Sequence, residues 1–486
     1  MVDTTTIADT LTMTNNIASA SVSASVSVSA SEETAINVKK AMELSKEQKT
    51  CMEKYIRGDN IFITGPGGSG KSELIKRIYH HARSQWKTIH VCAMTGCAAV
   101  LLNCKAKTLH SWSGVGLGNG TVEQMVAKIQ KKTYLKSLWK DTDILVVDEV
   151  SMLSLHLFDA LNQIGQNIRG NRRPFGGIQL IFSGDFFQLP PIGDKERPDT
   201  QRFCFESELW NTVFPVGSGC QIQLIQIFRQ TDDIYSSLLN QIRRGKMKRK
   251  SVELLLQHVG RPYDAGLIVE PTKLYPTRYK VENINNTKMA SLKGEEKKFT
   301  LKQCQDLEMT RAETIKRCQY SDKDIQIELD FIANNIICEK EMKVKVGSQV
   351  MCIVNIGDGD SGGLEICNGS QGIVASFCPN TGYPYVQFNN GVRRTMSPHT
   401  WVSDKIPGIG VSQIPLILAW ALTIHKSQGA TLDVAEIDVG SDVFECGQTY
   451  VALSRVKSLQ GLYLKSFDVN KIFINAKVDA FYNRLS

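Results

Sequence analysis

The segment Gly65–Ser72 reads GPGGSGKS and fits the pattern GxxxxGK(S/T) of a phosphate-binding loop. An apolar run, Ile61–Ile63, precedes it, and apolar residues at helical spacing follow within 74–78. A strand, a glycine-rich turn and a helix in this order allow backbone amides to surround phosphates. In such a loop Lys71 reaches the β- and γ-phosphates, and Ser72 is a ligand of Mg²⁺. The sequence therefore predicts a site for ATP and Mg²⁺.

The segments around this loop alternate short apolar runs with helical stretches. Further strands are predicted at His90–Ala93, Ile144–Val147 and Gln179–Phe182. Alternation of this kind indicates a parallel sheet with helices on both faces, the doubly wound α/β class. Thr108–Thr133 is interpreted as an insertion, because glycines at alternate positions within 114–120 predict a loop before a short helix.

Residues 342–400 have a different pattern, which predicts several short strands. Asn390-Gly391 favours a tight hairpin turn between two of them. We expect a small β-barrel-like module inserted into an α/β domain, whose pattern resumes at Ile414–Leu422. The predicted strands are Val344–Val354, Gly372–Phe377, Tyr385–Phe388 and Val392–Met396.

Polar residues follow two of the predicted parallel strands. Asp148 and Glu149 end the apolar run 144–147, which places Asp148 near the metal and Glu149 near the attacking water. Gln188, within Ser183–Pro191, can hydrogen-bond either the γ-phosphate or the water at the sheet edge where ligands bind. Acidic or amide residues at strand ends are common by themselves. Their place downstream of a phosphate-binding loop favours the functional interpretation.

Two arginines are candidates for stabilising charge on the phosphates from a second domain. They are Arg229, in the segment Ile227–Gln230, and Arg455, which ends Val451–Arg455. An isolated arginine is more often a surface residue.

Charge is distributed unevenly along the chain. All 57 Lys and Arg residues lie at or after Lys39, and the net charge is +8. A basic body fits a polyanionic partner, although a slightly basic enzyme without one has the same balance. Ser occupies every odd position from 19 to 31, with Ala or Val between. Side chains this small bury too little surface to offset ordering entropy, so residues 1–38 are expected to be a disordered tail.

Cysteine usage and hydropathy indicate a reducing, intracellular compartment. The 13 cysteines include no CxxC pair, so reduced thiols in the nucleus or cytoplasm are expected. The sequence has no apolar run long enough to span a membrane, and residues 1–38 lack a secretory signal. We therefore expect a protein that is neither secreted nor bound to a membrane.

Several further segments match helicase motifs. Together they resemble superfamily 1 helicases of the RecD-like type, and within them the Pif family (petite integration frequency), over about 44–464. The segments are Leu44–Gln48, similar to the adenine-reading Q motif; Thr95–Ala99 and Thr108–Trp112, similar to motif Ia; Asp148–Leu153 with Leu157–Asp159 and Ile168–Arg169, similar to the Pif signature; Leu422–Gly429, similar to motif V; and Phe444–Arg455, similar to motif VI.

The resemblance implies two RecA-like P-loop domains with ATP between them, a small wedge insertion and an SH3-like β insertion. It also implies movement from 5′ to 3′ along single-stranded DNA. The expected bounds are a tail at 1–38, a first domain at 39–215 with the wedge at 108–133, a second domain at 216–341 and 413–486, and the β insertion at 342–412.

The resemblance also implies roles for individual residues. Trp112 stands where the family usually has Phe and is expected to stack equally well on bases, whereas Arg278 stands where the family usually has Asn. His110 and His425 have the alternative of being structural histidines. The expected catalytic residues are Glu149, Asp148, Gln188, Arg229 and Arg455. Nucleotide is expected at Gln48, Gly65, Gly67, Gly68, Ser69, Gly70, Lys71, Ser72 and Gln428, Mg²⁺ at Ser72 and Asp148, and DNA at Thr108, His110, Trp112, Thr423, His425 and Lys426.

The sequence thus predicts an ATP-dependent 5′-to-3′ DNA helicase that acts in replication, repair or recombination. Its expected partners are single-stranded DNA and forked or 5′-tailed duplexes, which it binds as a monomer. The alternatives are a superfamily 1 RNA helicase, a non-motor DNA-stimulated ATPase, and a binding scaffold without hydrolysis. Lys71, Asp148 and Glu149 disfavour the scaffold, and the motif V and VI segments disfavour the non-motor ATPase.

Overall fold

A computed structural model describes residues 44–485 except 103, 117–120, 195, 231, 268, 337, 355, 358–363, 367 and 404–405. Lys46–Ser486 form one compact unit, and the disordered tail expected at 1–38 lies outside the described residues. No helix in the described part of the chain is long and apolar enough to cross a membrane.

Helices and strands are numbered here in chain order. The α-helices are α1 Lys46–Arg57, α2 Lys71–Ser84, α3 Gly96–Leu102, α4 Leu109–Ser113, α5 Val122–Gln130, α6 Thr133–Asp141, α7 Leu155–Arg169, α8 Trp210–Val213, α9 Asp233–Arg243, α10 Arg249–Leu256, α11 Arg278–Ser291, α12 Arg311–Arg317, α13 Asp322–Asn335, α14 Gln448–Leu453 and α15 Ala476–Asn483. The strands are β1 Ile61–Thr64, β2 Ile89–Ala93, β3 Lys107–Thr108, β4 Ile144–Asp148, β5 Gln179–Gly184, β6 Gln221–Gln223, β7 Thr272–Tyr275, β8 Lys297–Thr300, β9 Lys302–Cys304, β10 Glu341–Val344, β11 Gln349–Cys352, β12 Ile356–Gly357, β13 Leu364–Ile366, β14 Gln371–Phe377, β15 Pro384–Phe388, β16 Arg393–Thr395, β17 His399–Val402, β18 Gly410–Gln413, β19 Leu416–Leu418, β20 Ala421–Thr423, β21 Ala435–Val439 and β22 Leu462–Phe467.

Two parallel sheets form the framework. The first has the order β3-β2-β4-β5-β1-β6, and the second has the order β20-β7-β21-β22. The central strands β1 and β4 are buried at every position, as expected when helices cover both faces of a sheet. These sheets confirm the predicted α/β class, and the four strands predicted near the phosphate-binding loop all occur.

The second parallel sheet is interrupted by a long excursion of the chain. β7 and β20 are neighbours in this sheet although the residues between 275 and 421 separate them in sequence. Those residues include an antiparallel sheet of order β16-β15-β14-β11-β19 and a smaller one of order β17-β18-β9. The small sheets also use residues 302–304 and 416–418, which lie outside the predicted strands.

The predicted hairpin turn is confirmed. β15 and β16 pair antiparallel, and Gly391 in the turn between them has φ +85°, a conformation that glycine adopts without steric cost. The predicted strand Val344–Val354 is instead two strands, β10 and β11, separated by Gly347 at φ +90°.

The segment 108–133 contains more helix than its glycines suggest. Thr108 caps α4 by accepting the Ser111 N–H, so helix begins where a loop was expected. Gly114 ends α4 at φ +75°, and a Cβ there would lie 2.5 Å from a methyl carbon of Leu135. The short predicted helix is α5, which begins at a capping box on Thr121.

The helix α15 packs away from the second sheet, although it follows β22 in sequence. Its residues Val478, Phe481 and Tyr482 belong to the hydrophobic core beneath the first sheet. The Tyr482 hydroxyl lies 2.5 Å from Thr64 Oγ1 and accepts the N–H of Phe186 at 3.1 Å. The helix α15 therefore completes the core beneath the first sheet, whose strands all come from residues before 224.

Candidate active site

The phosphate-binding loop joins the end of β1 to α2. Gly68 and Gly70 have φ +85° and +83°, in the left-handed region that glycine adopts most readily. A Cβ on Gly68 would lie 2.5 Å from the Arg229 Cβ, so close packing also requires glycine there. Lys71 Nζ donates to the carbonyls of Gly65 and Pro66 at 2.8 and 3.0 Å.

Charges around Lys71 match a phosphate site. Burial lowers the pKa of the Lys71 ammonium, and the carboxylates of Asp185, Glu149 and Asp148 oppose that shift. The Ser69 hydroxyl, in the same loop, is 1% exposed and has no hydrogen-bond partner among the described residues. A buried polar atom without a partner is costly unless a ligand satisfies it.

Asp148 and Glu149 occupy the end of β4, between β2 and β5. Glu149 has φ +57°, a strained conformation for a residue with a side chain, of the kind that is common at active sites. Burial raises the pKa of Asp148, and burial followed by Asp148 raises the pKa of Glu149 to about 7. Gln428 Nε2 donates to Glu149 Oε2 at 3.2 Å, so motif V reaches the proposed base.

The raised pKa of Glu149 gives a testable pH dependence. Only its ionised form accepts a proton from water, so activity should be present above about pH 7 and lost as the pH falls through that value. We expect kcat/KM for ATP to fall about tenfold for each pH unit below this point. The measurement is ATP turnover against pH at saturating Mg²⁺.

Glu149→Gln is the matched control for that profile. It should bind ATP, hydrolyse it very slowly, and show no rise through pH 7. A wild-type profile that stays flat from about pH 6 to 8 would assign the base to another group.

Gln188 follows β5 and is 4% exposed. Its Oε1 has no hydrogen-bond partner among the described residues. The side-chain amide accepts through its oxygen and donates through its nitrogen, so both roles expected for Gln188, a contact with the γ-phosphate or with the attacking water, suit its chemistry.

Arg229 and Arg455 approach the loop from the segments Ile227–Gln230 and Val451–Arg455. Arg455 is 2% exposed and donates to Val451 O at 2.9 Å and to Ser454 Oγ at 2.7 Å. Arg229 Nη1 donates to Ser454 O at 3.4 Å. Burial, followed by repulsion from Arg229, lowers the pKa of Arg455. Within the described residues neither guanidinium forms an ion pair, so a polyphosphate would supply the missing negative charge.

Gln48 and Phe228 pack against the phosphate-binding loop at Gly70. Gln48, on α1, is 5% exposed, and its Nε2 lies 2.7 Å from where a Cβ on Gly70 would be. The Phe228 ring approaches the same point within 3.4 Å, and its backbone N–H donates to Gly68 O at 2.8 Å. The structure therefore brings Gln48 to the loop, while its contact with adenine stays a prediction.

The Mg²⁺ ligands expected at this site are oxygens. Ser72 lies in the first turn of α2, and Asp148 lies at the end of β4, which β5 separates from the loop-bearing strand β1. A hydroxyl and a carboxylate are ligands that Mg²⁺ accepts, with water and phosphate oxygens completing its octahedron. The donor chemistry of the two residues fits the ion.

Sequence reasoning missed three residues near the loop. Gln230 is 7% exposed, and neither its Oε1 nor its Nε2 has a hydrogen-bond partner among the described residues. Tyr450 Oη accepts the Gly67 N–H at 2.8 Å. Arg243, which begins a run of basic residues in the sequence, is 3% exposed and donates two 2.8 Å hydrogen bonds to Asp185. In the sequence, Gln230 and Tyr450 lie inside motif segments and Arg243 lies in a basic run, and nothing in those patterns separates them from the neighbouring residues.

The expectation that Trp112 stacks on DNA bases is wrong for this structure. Its side chain is 0% exposed and packs against Trp139 at a centroid distance of 4.6 Å. Both rings belong to the core beneath the first sheet. A base cannot reach Trp112 unless that core opens, so the residue supports α4 from inside. His110, on the same helix, is partly exposed, and burial lowers its pKa.

The expected DNA residues of motif V lie at the end of β20. Thr423 is largely buried and its Oγ1 accepts the N–H of Lys426, whose own side chain is exposed. Burial lowers the pKa of His425, against the influence of Glu445. Thr423 therefore shapes the turn, while the exposed side chain of Lys426 can contact a phosphate.

Arg278, which stands where the family usually has Asn, is exposed and forms an ion pair with Glu282 one helical turn away.

The comparisons with known proteins agree with these motifs. A family model described as PIF1-like helicase matches residues 43–253. The chain is 35% identical over 497 residues to the ATP-dependent DNA helicase PIF1 of Emericella nidulans, covering 90% of this chain and 62% of that protein. It is 32% identical over 521 residues to the ATP-dependent DNA helicase RRM3 of Saccharomyces cerevisiae, covering 91% and 68%. The chain thus spans about two thirds of the length of these curated relatives.

Solved structures share the fold. The crystal structure of Pif1 helicase from Candida albicans matches with a TM-score of 0.71 and 34% identity, covering 92% of this chain and 100% of that one. The crystal structure of Pif1 helicase from Bacteroides in complex with ADP-AlF3 and ssDNA matches with a TM-score of 0.61 and 26% identity, covering 91% and 97%. These likenesses confirm the RecA-like fold class.

Proposed function

The chain belongs to the PIF1-like helicase family, and from this premise we propose that it is an ATP-dependent DNA helicase that moves 5′ to 3′ on one strand and separates duplexes. The observation that carries the proposal is the meeting of Arg229 and the buried Arg455 with the phosphate-binding loop and Glu149. The names of the curated relatives and the ADP-AlF3 and ssDNA complex of the Bacteroides protein support it.

Hydrolysis uses residues from both parallel sheets. Lys71 and the loop amides bind the β- and γ-phosphates, while Ser72 and Asp148 would hold Mg²⁺, which would neutralise charge on the phosphates. Glu149 takes the proton of a water that Gln188 orients. Arg229 and Arg455 stabilise the charge that develops on the transferred group, so closure of the cleft and hydrolysis are coupled.

Movement follows if the two halves grip the strand alternately. We propose the partly exposed His110 on the first half and the exposed Lys426 on the second as contacts with the strand, with Thr108, Thr423 and His425 shaping those surfaces. The bounds expected from sequence, 39–215, 216–341 with 413–486, and 342–412 for the β insertion, change in two places, because β6 pairs with β1 and α15 packs in the core of the first sheet. We therefore propose that 221–223 and 476–483 belong to the first domain. The protein acts as a monomer on single-stranded, forked or 5′-tailed DNA, in replication, repair or recombination, within a reducing compartment.

Polarity and substrate class can be tested together. A duplex with a 5′ single-stranded overhang should be unwound in the presence of ATP and Mg²⁺, and a matched duplex with a 3′ overhang should not. Single-stranded DNA should stimulate ATP turnover more than RNA of the same sequence. The assay must run at low ionic strength, because contacts with several phosphates weaken steeply with salt.

Two outcomes would contradict parts of this proposal. Unwinding from the 3′ overhang alone would reject the polarity while leaving the ATPase standing. Stimulation by RNA alone, with unwinding of RNA duplexes, would favour the RNA helicase alternative.

A further inference from the structure

The hydroxyl of Tyr450 lies at the phosphate-binding loop. Tyr450 belongs to α14, is 3% exposed, and accepts the backbone N–H of Gly67 at 2.8 Å. A Cβ on Gly67 would lie 3.6 Å from both Arg229 Nη1 and Ser454 Oγ. Gly67 is therefore the loop residue that faces the arginines, and Tyr450 joins it there.

The Tyr450 hydroxyl retains a proton that it can donate. A tyrosine hydroxyl accepts through lone pairs and donates through one O–H, and the Gly67 contact uses a lone pair. The carboxylate of Asp185, which helps to raise the pKa of Tyr450, already accepts two 2.8 Å hydrogen bonds from Arg243. Burial raises the pKa of Tyr450, so the hydroxyl stays neutral. Among the described residues the proton has no acceptor.

Tyr450 and the arginines share one small region. The Tyr450 hydroxyl lies 2.8 Å from the Gly67 nitrogen, and Arg229 Nη1 lies 3.6 Å from where a Cβ on Gly67 would be, so both side chains meet the loop at this residue. Arg455 Nε donates to Val451 O, in the residue next to Tyr450. The bond to Gly67 therefore fixes α14, and with it Arg455, relative to the loop.

We propose that Tyr450 is a γ-phosphate-contacting residue. Its oxygen holds the Gly67 amide, and its O–H donates to an oxygen of the γ-phosphate between Arg229 and Arg455. ADP lacks the γ-phosphate, so this contact distinguishes the triphosphate from the diphosphate. It also positions Arg455 relative to the γ-phosphate. The inference rests on the proposed ATPase function and assigns a new residue to it.

Tyr450→Phe tests the proposal by removing one oxygen atom. Affinity for ADP should change by less than about threefold, whereas affinity for ADP–aluminium fluoride and kcat should each fall about tenfold to a hundredfold. That range corresponds to about 1.4–2.8 kcal/mol at 1.4 kcal/mol per tenfold. Tyr463→Phe is the matched control, because Tyr463 is 1% exposed and its hydroxyl accepts the Asp264 N–H at 3.3 Å, in β22 and outside the site. It should leave both affinities and kcat unchanged.

Equal losses for ADP and for ADP–aluminium fluoride would show a structural role and overturn the proposal, as would a Tyr450→Phe enzyme with wild-type kcat. If that variant does not fold, amide hydrogen exchange of the unaltered chain decides. The Gly67 amide should exchange slowly with ADP–aluminium fluoride bound, and exchange at the rate of an open loop overturns the assignment. Wild-type protein that turns over no ATP would instead reject the proposed function.

Discussion

Lys71→Ala is expected to abolish ATP turnover and unwinding while leaving nucleotide-free affinity for single-stranded DNA within about threefold of wild type. The ammonium lies among loop carbonyls and three carboxylates at the phosphate site. Removing a positioned charge at a transferring group costs on the order of 10²–10³ in rate. The measurements are steady-state ATP turnover and titration of a labelled single strand.

The control is Lys140→Ala, because Lys140 is an exposed lysine near the end of α6 and its removal tests for a general effect of lost charge. It should turn over ATP like the wild type. A Lys71→Ala protein that still hydrolyses ATP would show that Gly65–Ser72 is not the catalytic loop.

Arg455→Ala should lower hydrolysis far more than ATP binding. Arginines that reach a transferring phosphoryl group contribute on the order of 10³–10⁵ in rate. Arg455 has no ion pair among the described residues, so the expected loss comes from the missing contact with phosphate and not from a stranded carboxylate. The measurement is single-turnover hydrolysis beside equilibrium binding of a nucleotide analogue.

Arg249→Ala is the matched control, because Arg249 is 93% exposed and pairs only with Glu253 on its own helix. It should not change single-turnover hydrolysis. An effect of Arg455→Ala that is confined to KM would mean that Arg455 binds substrate without stabilising the transition state.

The parts of the site that could be predicted from sequence are those whose chemistry depends on local order along the chain. Gly65–Ser72 is one continuous strand, turn and helix, so its pattern alone placed Lys71 and Ser72. Asp148 was placed for the same reason, by the apolar strand that it ends. The family resemblance implied a nucleotide role for Gln428 but not its hydrogen bond to Glu149, which joins segments that follow strands of different sheets.

The parts that could not be predicted depend on tertiary burial. Trp112 sits in a motif string, yet the neighbour that buries it, Trp139, comes from a helix whose packing no local pattern reveals. Arg243 stands in a run of basic residues, which favours a solvated face, but its ion pair with Asp185, just after β5, keeps it buried. In both cases a partner distant in sequence determined the exposure of the residue.

The docking of α15 beneath the first sheet has a consequence for protein synthesis. A domain near the N-terminus usually folds while the rest of the chain is still being made. Here Val478, Phe481 and Tyr482 are needed to close the core around Phe62, so the finished packing must wait for them. The ribosome adds about 5–20 residues per second, so the interval from β6 to α15 is roughly 13–50 s. During that time the nascent chain exposes an unfinished aromatic surface, and the protein should depend on chaperones that cover such surfaces until translation reaches α15.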